Sequence, residues 1–297
     1  MIDGILNVYK EKGYTSHDVV AKLRGILRQK KIGHTGTLDP DAQGVLPVCL
    51  GKATRLCDML TDKRKTYKAV LLLGRETDTQ DLSGRVLYER AVTVSEEEAR
   101  EAVMSFEGSY DQLPPMYSAV KINGKRLYEL ARQGKVVERR SRPVTIYEIV
   151  IESVELPRIT MTVCCSKGTY IRTLCHDMGQ KLGCGGCMES LLRVQVGRFR
   201  LEDSLPLSEI ERLKEAGGLE EKIISIEEMF ECYPPLRTLP HADRLACNGN
   251  PLAKGDVKDM EEGRYFRVYD SGGQFVGIYE WEQDKARLKP WKMFLGG

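Results

Sequence analysis

The stretch from Gly33 to Gly44, GHTGTLDPDAQG, sets Asp39 and Asp41 beside His34, Thr35 and Thr37 between glycines. Pro40 follows Asp39 and biases its backbone to an extended form, which turns the carboxylate away from helix-like local pairing. A carboxylate held on such a loop can serve as a nucleophile or a base. The same residues also suit an Asx-turn, in which Asp39 only caps its own loop. A second constellation is KGTYIRTL, Lys167 to Leu174, at a strand-to-helix junction. It places Tyr170 and Arg172 at the mouth of a turn with Lys167 beside them, and Arg172 has the planar fork that pairs bidentately with a carboxylate or a phosphate. Tyr67, in RKTYKA, is an aromatic among basic residues. That interleaving suits RNA, whose unpaired bases stack on rings while its phosphates meet Lys or Arg. Taken singly, each of these is more often a surface aromatic or an ordinary ion pair.

Two further motifs carry less. Cys175, His176, Cys184 and Cys187 imitate a zinc site, but Cys184 and Cys187 form a lone C-x-x-C and the adjacent Cys175 and His176 diverge. A structural zinc needs four convergent ligands, so no metal is expected. Gly44 to Lys52, GVLPVCLGK, has the wrong glycine spacing for a phosphate-binding loop, and Ala53 stands where Ser or Thr would meet magnesium.

With 297 residues, 41% apolar and 30% charged, the chain can bury a large core and a smaller second one. No apolar run approaches a membrane span, and the opening MIDGILNVYKEKGYTS has no signal-peptide pattern, so a cytoplasmic protein with free thiols among its nine cysteines is expected. The net charge is only +2, but its distribution is uneven. Lys121 to Arg142 holds eight basic residues, Arg139, Arg140 and Arg142 among them, against two acidic ones; Lys22 to Lys31 holds five basic residues and no acid; Leu201 to Glu231 holds ten acidic residues against three basic. A polyphosphate senses local basic surface rather than the total, although a charge run by itself is also what a solvated face looks like.

These residues need elements to hold them. Gly4 to Val8 reads as a strand, and Ser16 as the cap of a helix with Val19, Val20, Leu23, Ile26 and Leu27 on one face. Val45 to Leu50 and Tyr67 to Leu73 read as buried strands with a helix from Ala53 to Leu60 between them. Ser95 with Glu98, Ser208 with Glu211, and Ser225 with Glu228 are capping boxes. Leu127 to Gln133 is a short helix, Val144 to Val154 and Ile159 to Cys165 a hairpin, and Tyr170 to Leu182 a helix stopped by Gly183. After Pro234-Pro235 the texture changes to short strands broken by glycines, which sets a boundary near Cys232. The mixture without regular β-α-β alternation predicts an α+β fold with a mainly antiparallel sheet.

In order along the chain, GHTGTLDPDAQGVLP, KTYKAVLLLG, TDTQDLSG, MYSAVKINGKRLYELARQG, SRPVTIYEI, SKGTYIRTL and LLRVQVGRF resemble the landmarks of the TruB family of tRNA pseudouridine synthases. The opening GILNVYKEKGYTSHDVV resembles that family's first motif, and the likeness is dense over roughly residues 1 to 200. The tail, with CNGNPLAKGDV, resembles a small PUA-type RNA-binding domain.

The resemblance implies a pseudouridine-synthase catalytic fold over 1–231, with a basic RNA-gripping segment at 112–143, and a PUA-like β-rich domain over 232–297. It implies that Asp39 is the catalytic aspartate, that Tyr67 stacks on the target base and takes part in proton transfer, and that Arg172 pairs with the aspartate. His34 would hold the flipped loop conformation, Leu192 would contact the uracil, and Tyr170 and Lys167 would line the same site. Arg139, Arg140 and Arg142 would meet the RNA backbone. The implied partner is the T-arm of tRNA, bound by a monomer with no cofactor, since the reaction is an isomerisation. Two departures stand out: Glu11-Lys12 follows the first motif's lysine where a proline is usual, and Val194 stands where a second arginine is common. The alternatives are an RNA-binding protein without catalysis, which would not need Asp39, Tyr67 and Arg172 together, and a zinc-dependent module resting on the Cys175 group.

Overall fold

A computed structural model describes residues 1–61, 63–122, 124–260 and 262–295. The chain divides into two compact units: Asn7–Val48 with Leu56–Ala216, and Met1–Leu6 with Cys49–Arg55 and Gly217–Gly297.

The larger unit is built on a mixed sheet. Its longer strands are β1 (Gly4–Lys10, from Asn7 on), β2 (Gln43–Leu50, as far as Val48), β3 (Lys65–Leu73), β4 (Gly108–Gln112), β5 (Arg142–Glu155), β6 (Arg158–Cys165) and β7 (Gly186–Val196). In space they follow the order β1-β2-β7-β3-β6-β5-β4. β7, last of these in sequence, therefore lies between two early strands, parallel to β2 and antiparallel to β3. The remaining pairs from β3 to β4 are antiparallel. This is the expected α+β architecture with a mainly antiparallel sheet.

Alternation along β3 and β6 explains which face is buried. Tyr67, Ala69 and Leu71 on β3 and Ile159, Met161, Val163 and Cys165 on β6 point into one core, while Thr66, Lys68 and Val70 take the other face. Helix α3 (Ile171–Lys181) adds Ile171, Leu174, Cys175 and Met178 to that core. It lies so close to β7 that a Cβ on Gly179 would come within 2.2 Å of the Gly186 nitrogen, so only glycine fits there.

Three local expectations change. Helix α1 (Ser16–Leu27) is capped by Thr15, whose side chain accepts the Asp18 amide while Asp18 accepts the Thr15 amide in return. A cap of this type contributes about 1 kcal/mol, and it frees Ser16 to point inward. The expected helix from Ala53 to Leu60 is a 3-10 turn, Gly51–Leu56, followed by one α-turn, α2 (Cys57–Thr61). The acidic helix Leu207–Ala216 starts one residue before Ser208, so Ser208 caps nothing; the Glu209 and Ile210 amides turn back to the Pro206 carbonyl instead. Ser95–Glu98 and Ser225–Glu228 form their reciprocal pairs, the second opening only a 3-10 turn.

In the smaller unit, Ile5 and Leu6 pair with Ile224 and Ile223, and the tail forms a five-stranded sheet from Pro235 to Met293. Phe266, Val268, Val276, Tyr279 and Leu288 make its core, and the buried Tyr279 hydroxyl donates to the Ala246 carbonyl at 3.0 Å. Among the described residues, no helix is long and apolar enough to cross a membrane.

Candidate active site

Asp39 sits on the loop between the short strand Ile32–His34 and β2, and three side chains from elsewhere, with Thr35 of the loop itself, hold that loop in place. Ser16, on the first turn of α1, accepts the Leu38 amide at 2.9 Å. Lys10, wholly buried at the end of β1, donates to the carbonyls of Tyr14 and Pro40, and burial lowers its pKa to about 8. Thr35 donates to the Pro47 carbonyl at 3.2 Å. Arg193 on β7, 1% exposed, donates to the carbonyls of Val45, Gly36 and Thr37 at 2.7, 3.2 and 3.5 Å. β7 reaches this position because Gly44 has φ +105° and no side chain; a Cβ there would lie 2.2 Å from the Arg193 carbonyl oxygen.

Arg172 comes from the first turn of α3, on the other side of the site. Its Nε lies 2.9 Å from Asp39 Oδ2 and its Nη2 3.4 Å from Oδ1, a two-point contact. The guanidinium is 6% exposed and also donates to the carbonyls of Thr79 and Tyr117, with Asp81 Oδ2 at 3.6 Å. The segment TDTQDLSG thus acquires a physical purpose: it folds around Arg172. Asp81 accepts from Thr79 and from the Ser83 amide, and Gln80 accepts from Thr173.

The Asp39 carboxylate is 40% exposed at the edge of this arrangement, yet the atoms crowded around it still penalise its charge. That desolvation pushes its pKa above the usual 3.8, and Arg172 pulls it back only in part. Arg172 thus offsets the effect of burial rather than overriding it.

Tyr67 is 7% exposed and stands opposite Arg193 across the β3–β7 pair, hydrogen-bonded to its side chain. Burial pushes the phenol up to about 12, so its hydroxyl keeps its proton. Of its basic neighbours, Lys68 turns outward, while Lys65 is buried on the same face and tied to the Thr61 and Lys63 carbonyls. His34 accepts the Gly36 amide on Nδ1 at 3.3 Å, and its ring meets His17 edge to face at 5.4 Å. Burial, with His17 and Arg193 nearby, lowers its pKa to about 4, so the ring is neutral and Nε2 carries the N–H.

The other expected residues divide. Tyr170 caps α3, its backbone clamped by the buried Gln112: the Tyr170 amide donates to Oε1 at 2.7 Å, and Nε2 donates to its carbonyl at 3.1 Å. Tyr170, Gln112, Arg142, Lys167 and Thr61 line one cavity of about 360 Å³. A larger cavity, about 460 Å³ between Leu72, Arg75, Arg90 and Pro157, shares no residue with the site. Leu192 is displaced. It pairs with Lys68, on the sheet face opposite Tyr67, whereas Leu191 pairs with Ala69 and packs into the core that contains Tyr67 and Leu38. A one-residue step along a strand changes faces, so Leu191 is the leucine on the side of the site. Arg139 is also displaced, half-buried and bonded to the Pro114 carbonyl at 2.9 Å, while Arg140 and Arg142 are exposed.

The cysteine group does not converge. Cys175, Cys184 and Cys187 are buried thiols, and burial raises Cys184 and pushes Cys187 up to about 11, which disfavours thiolates. Among the described residues, no three His, Cys, Asp or Glu side chains are grouped to hold a metal ion.

An ionisable carboxylate paired to a buried arginine and set beside a protonated tyrosine can attack or deprotonate a substrate without a cofactor. Comparison with known proteins decides which chemistry this is. The model of the TruB family pseudouridylate synthase N-terminal domain matches residues 24–171, and that of the tRNA pseudouridylate synthase B C-terminal domain matches 172–231. The chain belongs to the TruB family of pseudouridine synthases. Two similar relatives are called tRNA pseudouridine synthase B. The one from Lachnoclostridium phytofermentans is 53% identical over 99% of this chain and all of its own length. The one from Alkaliphilus oremlandii is 54% identical over 94% of this chain and 90% of its own. Among solved structures, a Cbf5–Nop10–Gar1 complex aligns with TM-score 0.73 at 28% identity, over 98% of this chain and 85% of that one. An H/ACA ribonucleoprotein bound to a substrate RNA aligns with TM-score 0.72 at 25% identity, over 99% and 85%. As a TruB-family member the chain is an isomerase that makes pseudouridine.

Proposed function

We propose that this protein converts the T-loop uridine at position 55 of tRNA to pseudouridine, with Asp39, Arg172 and Tyr67 as the reacting constellation. The observation that carries the reading is the two-point contact of Arg172 with Asp39, at 2.9 and 3.4 Å, on a loop held by Lys10, Ser16 and Arg193. The names of the relatives supply the tRNA substrate. Extruding a stacked base costs a few kcal/mol, and exposed cations such as Lys167, Arg140 and Arg142 would offset part of that through phosphate contacts. The extruded uracil would lie against Tyr67, with Leu191 on the same sheet face, while Asp39 acts at the nucleotide. The uracil then detaches, turns and re-bonds through carbon, so atoms balance with no co-reactant. His34, neutral, would offer its Nε2–H to the rearranged loop, and Tyr170 would line the approach. We assign the RNA-accessory role to the PUA-like tail from about residue 232, and take the working unit to be a cytoplasmic monomer. The direct test is incubation with an unmodified T-arm hairpin and mapping of pseudouridine at single-nucleotide resolution. Conversion at a different position, or none, would overturn the assignment.

Two expected outcomes follow from individual side chains. Tyr67→Phe keeps the ring and loses the hydroxyl, so single-turnover conversion should fall by about 100-fold with RNA affinity unchanged; Tyr67→Leu should lower both. A normal rate for the Phe variant would reduce the tyrosine to a platform. For the phosphate grip, neutralising Arg140 and Arg142 together should flatten the slope of log affinity against log salt by up to roughly two units. Neutralising Arg139, which is committed to Pro114, should change that slope less. A salt titration of hairpin binding reads both.

A further inference from the structure

Arg193 is a buried cation that, among the described residues, bonds no carboxylate; its donors go to the carbonyls of Val45, Gly36 and Thr37 and to the side chain of Tyr67, directly opposite it on β3. A guanidinium offers only donors, whatever the pH. Toward Arg193, the Tyr67 oxygen must therefore accept, and the phenol's single proton must point elsewhere. The core into which the ring packs is apolar, with Val163 opposite Tyr67 on β6, and leaves that proton little else to meet. The direction left is toward the mouth of the site, where Asp39 stands. The same guanidinium holds Gly36 and Thr37, two and three residues before Asp39. One side chain thus sets the position of the aspartate's loop and the orientation of the tyrosine's hydroxyl.

We propose that Arg193 is a positioning residue for the reaction, which orients the Tyr67 hydroxyl as a hydrogen-bond donor to the bound base and fixes its distance from the Asp39 loop. The inference rests on the reading that Tyr67 faces the extruded uracil. It makes Arg193 act through Tyr67, which a merely structural cation would not do. Tyr67, with its phenol pushed up to about 12 by burial, keeps the proton that this role requires.

The test is a double-mutant cycle on the full chain, read by single-turnover conversion of a T-arm hairpin at saturating protein, with RNA affinity and melting temperature measured alongside. Arg193→Met removes the donors at similar volume and should slow conversion by about 100-fold, the usual effect of deleting one oriented donor, while affinity stays within about threefold of wild type. In a Tyr67→Phe background the same change should cost about tenfold less than it does in the wild-type background, because the hydroxyl it orients is already gone and only its hold on the Asp39 loop remains to be lost. Losses that multiply in the double variant, or a loss confined to affinity, would overturn the proposal. Arg193→Lys, which keeps a cation able to donate to Tyr67 but not to reach all the carbonyls, should recover part of the rate. A lysine variant that is folded and as slow as the methionine one, or one that does not fold, would assign Arg193 to fold maintenance instead. Failure of the wild-type protein to convert the hairpin is a separate result, which would sink the proposed substrate and this inference with it.

Discussion

Asp39→Asn should lower single-turnover conversion by at least about a thousandfold while leaving RNA affinity within about tenfold and the melting temperature close to wild type. The amide has the shape of the carboxylate but neither its charge nor its basicity, so what it loses is felt at the transition state. Affinity should survive because it comes from phosphate contacts spread over the surface. Stability should survive for a reason visible in the site: the carboxylate is 40% exposed, and Arg172 keeps its bonds to the Thr79 and Tyr117 carbonyls and its approach to Asp81. Residual activity near wild type would end the case for Asp39 as the reacting group.

Arg172→Met should be comparably severe in rate, and distinctive in its dependence on pH. In the intact protein burial raises the Asp39 pKa and Arg172 partly lowers it again. Without the guanidinium the pKa climbs further, so the ionised fraction at neutral pH falls and recovers only as pH rises. The acid limb of the rate profile should therefore move to higher pH, with about a hundredfold to a thousandfold loss where wild type is on its plateau. Stability should follow the opposite course. A carboxylate whose folded pKa lies above its unfolded value favours the fold below the unfolded pKa, and that advantage is lost as pH rises through the folded one. The variant should thus melt closest to wild type in acid and fall behind as pH increases. An acid limb that stays in place would show that Arg172 positions substrate rather than tuning Asp39.

Much of this site was legible before any coordinates. The loop around Asp39, the junction carrying Arg172 and the strand carrying Tyr67 are chemically unusual stretches in an otherwise ordinary alternation; Arg172 pairs with Asp39 directly, and Tyr67 is tied to the same loop through Arg193. The residues that escaped notice are polar groups hidden on buried positions. Lys10 ends an apolar strand and Arg193 sits within LLRVQV, where a charge invites the reading of a surface residue. What could have flagged Arg193 is its position two residues after Leu191, on the same parity of the strand. The error at Leu192 has the same origin: the segment was recognised, but the bulges in β7 hide the parity, and only the pairing with β3 shows which leucine shares the face of Tyr67. Ser16 was misread for a different reason. Thr15 and Ser16 are both competent caps, and the choice falls to whichever leaves the other free to bond Leu38.

The placement of β7 has a consequence for how the protein is made. Synthesis proceeds from the amino terminus, so β2 and β3 leave the ribosome well before the strand that belongs between them. Until residues 186–196 emerge, two apolar strands wait with unpaired edges, the condition under which strands find wrong partners. The nascent chain also lacks Arg193 during that interval. Chains stalled before residue 186 should therefore be protease-sensitive and inert on RNA even though Asp39, Tyr67 and Arg172 are already present, and protection and activity should arrive together over the next dozen or so residues to leave the exit tunnel.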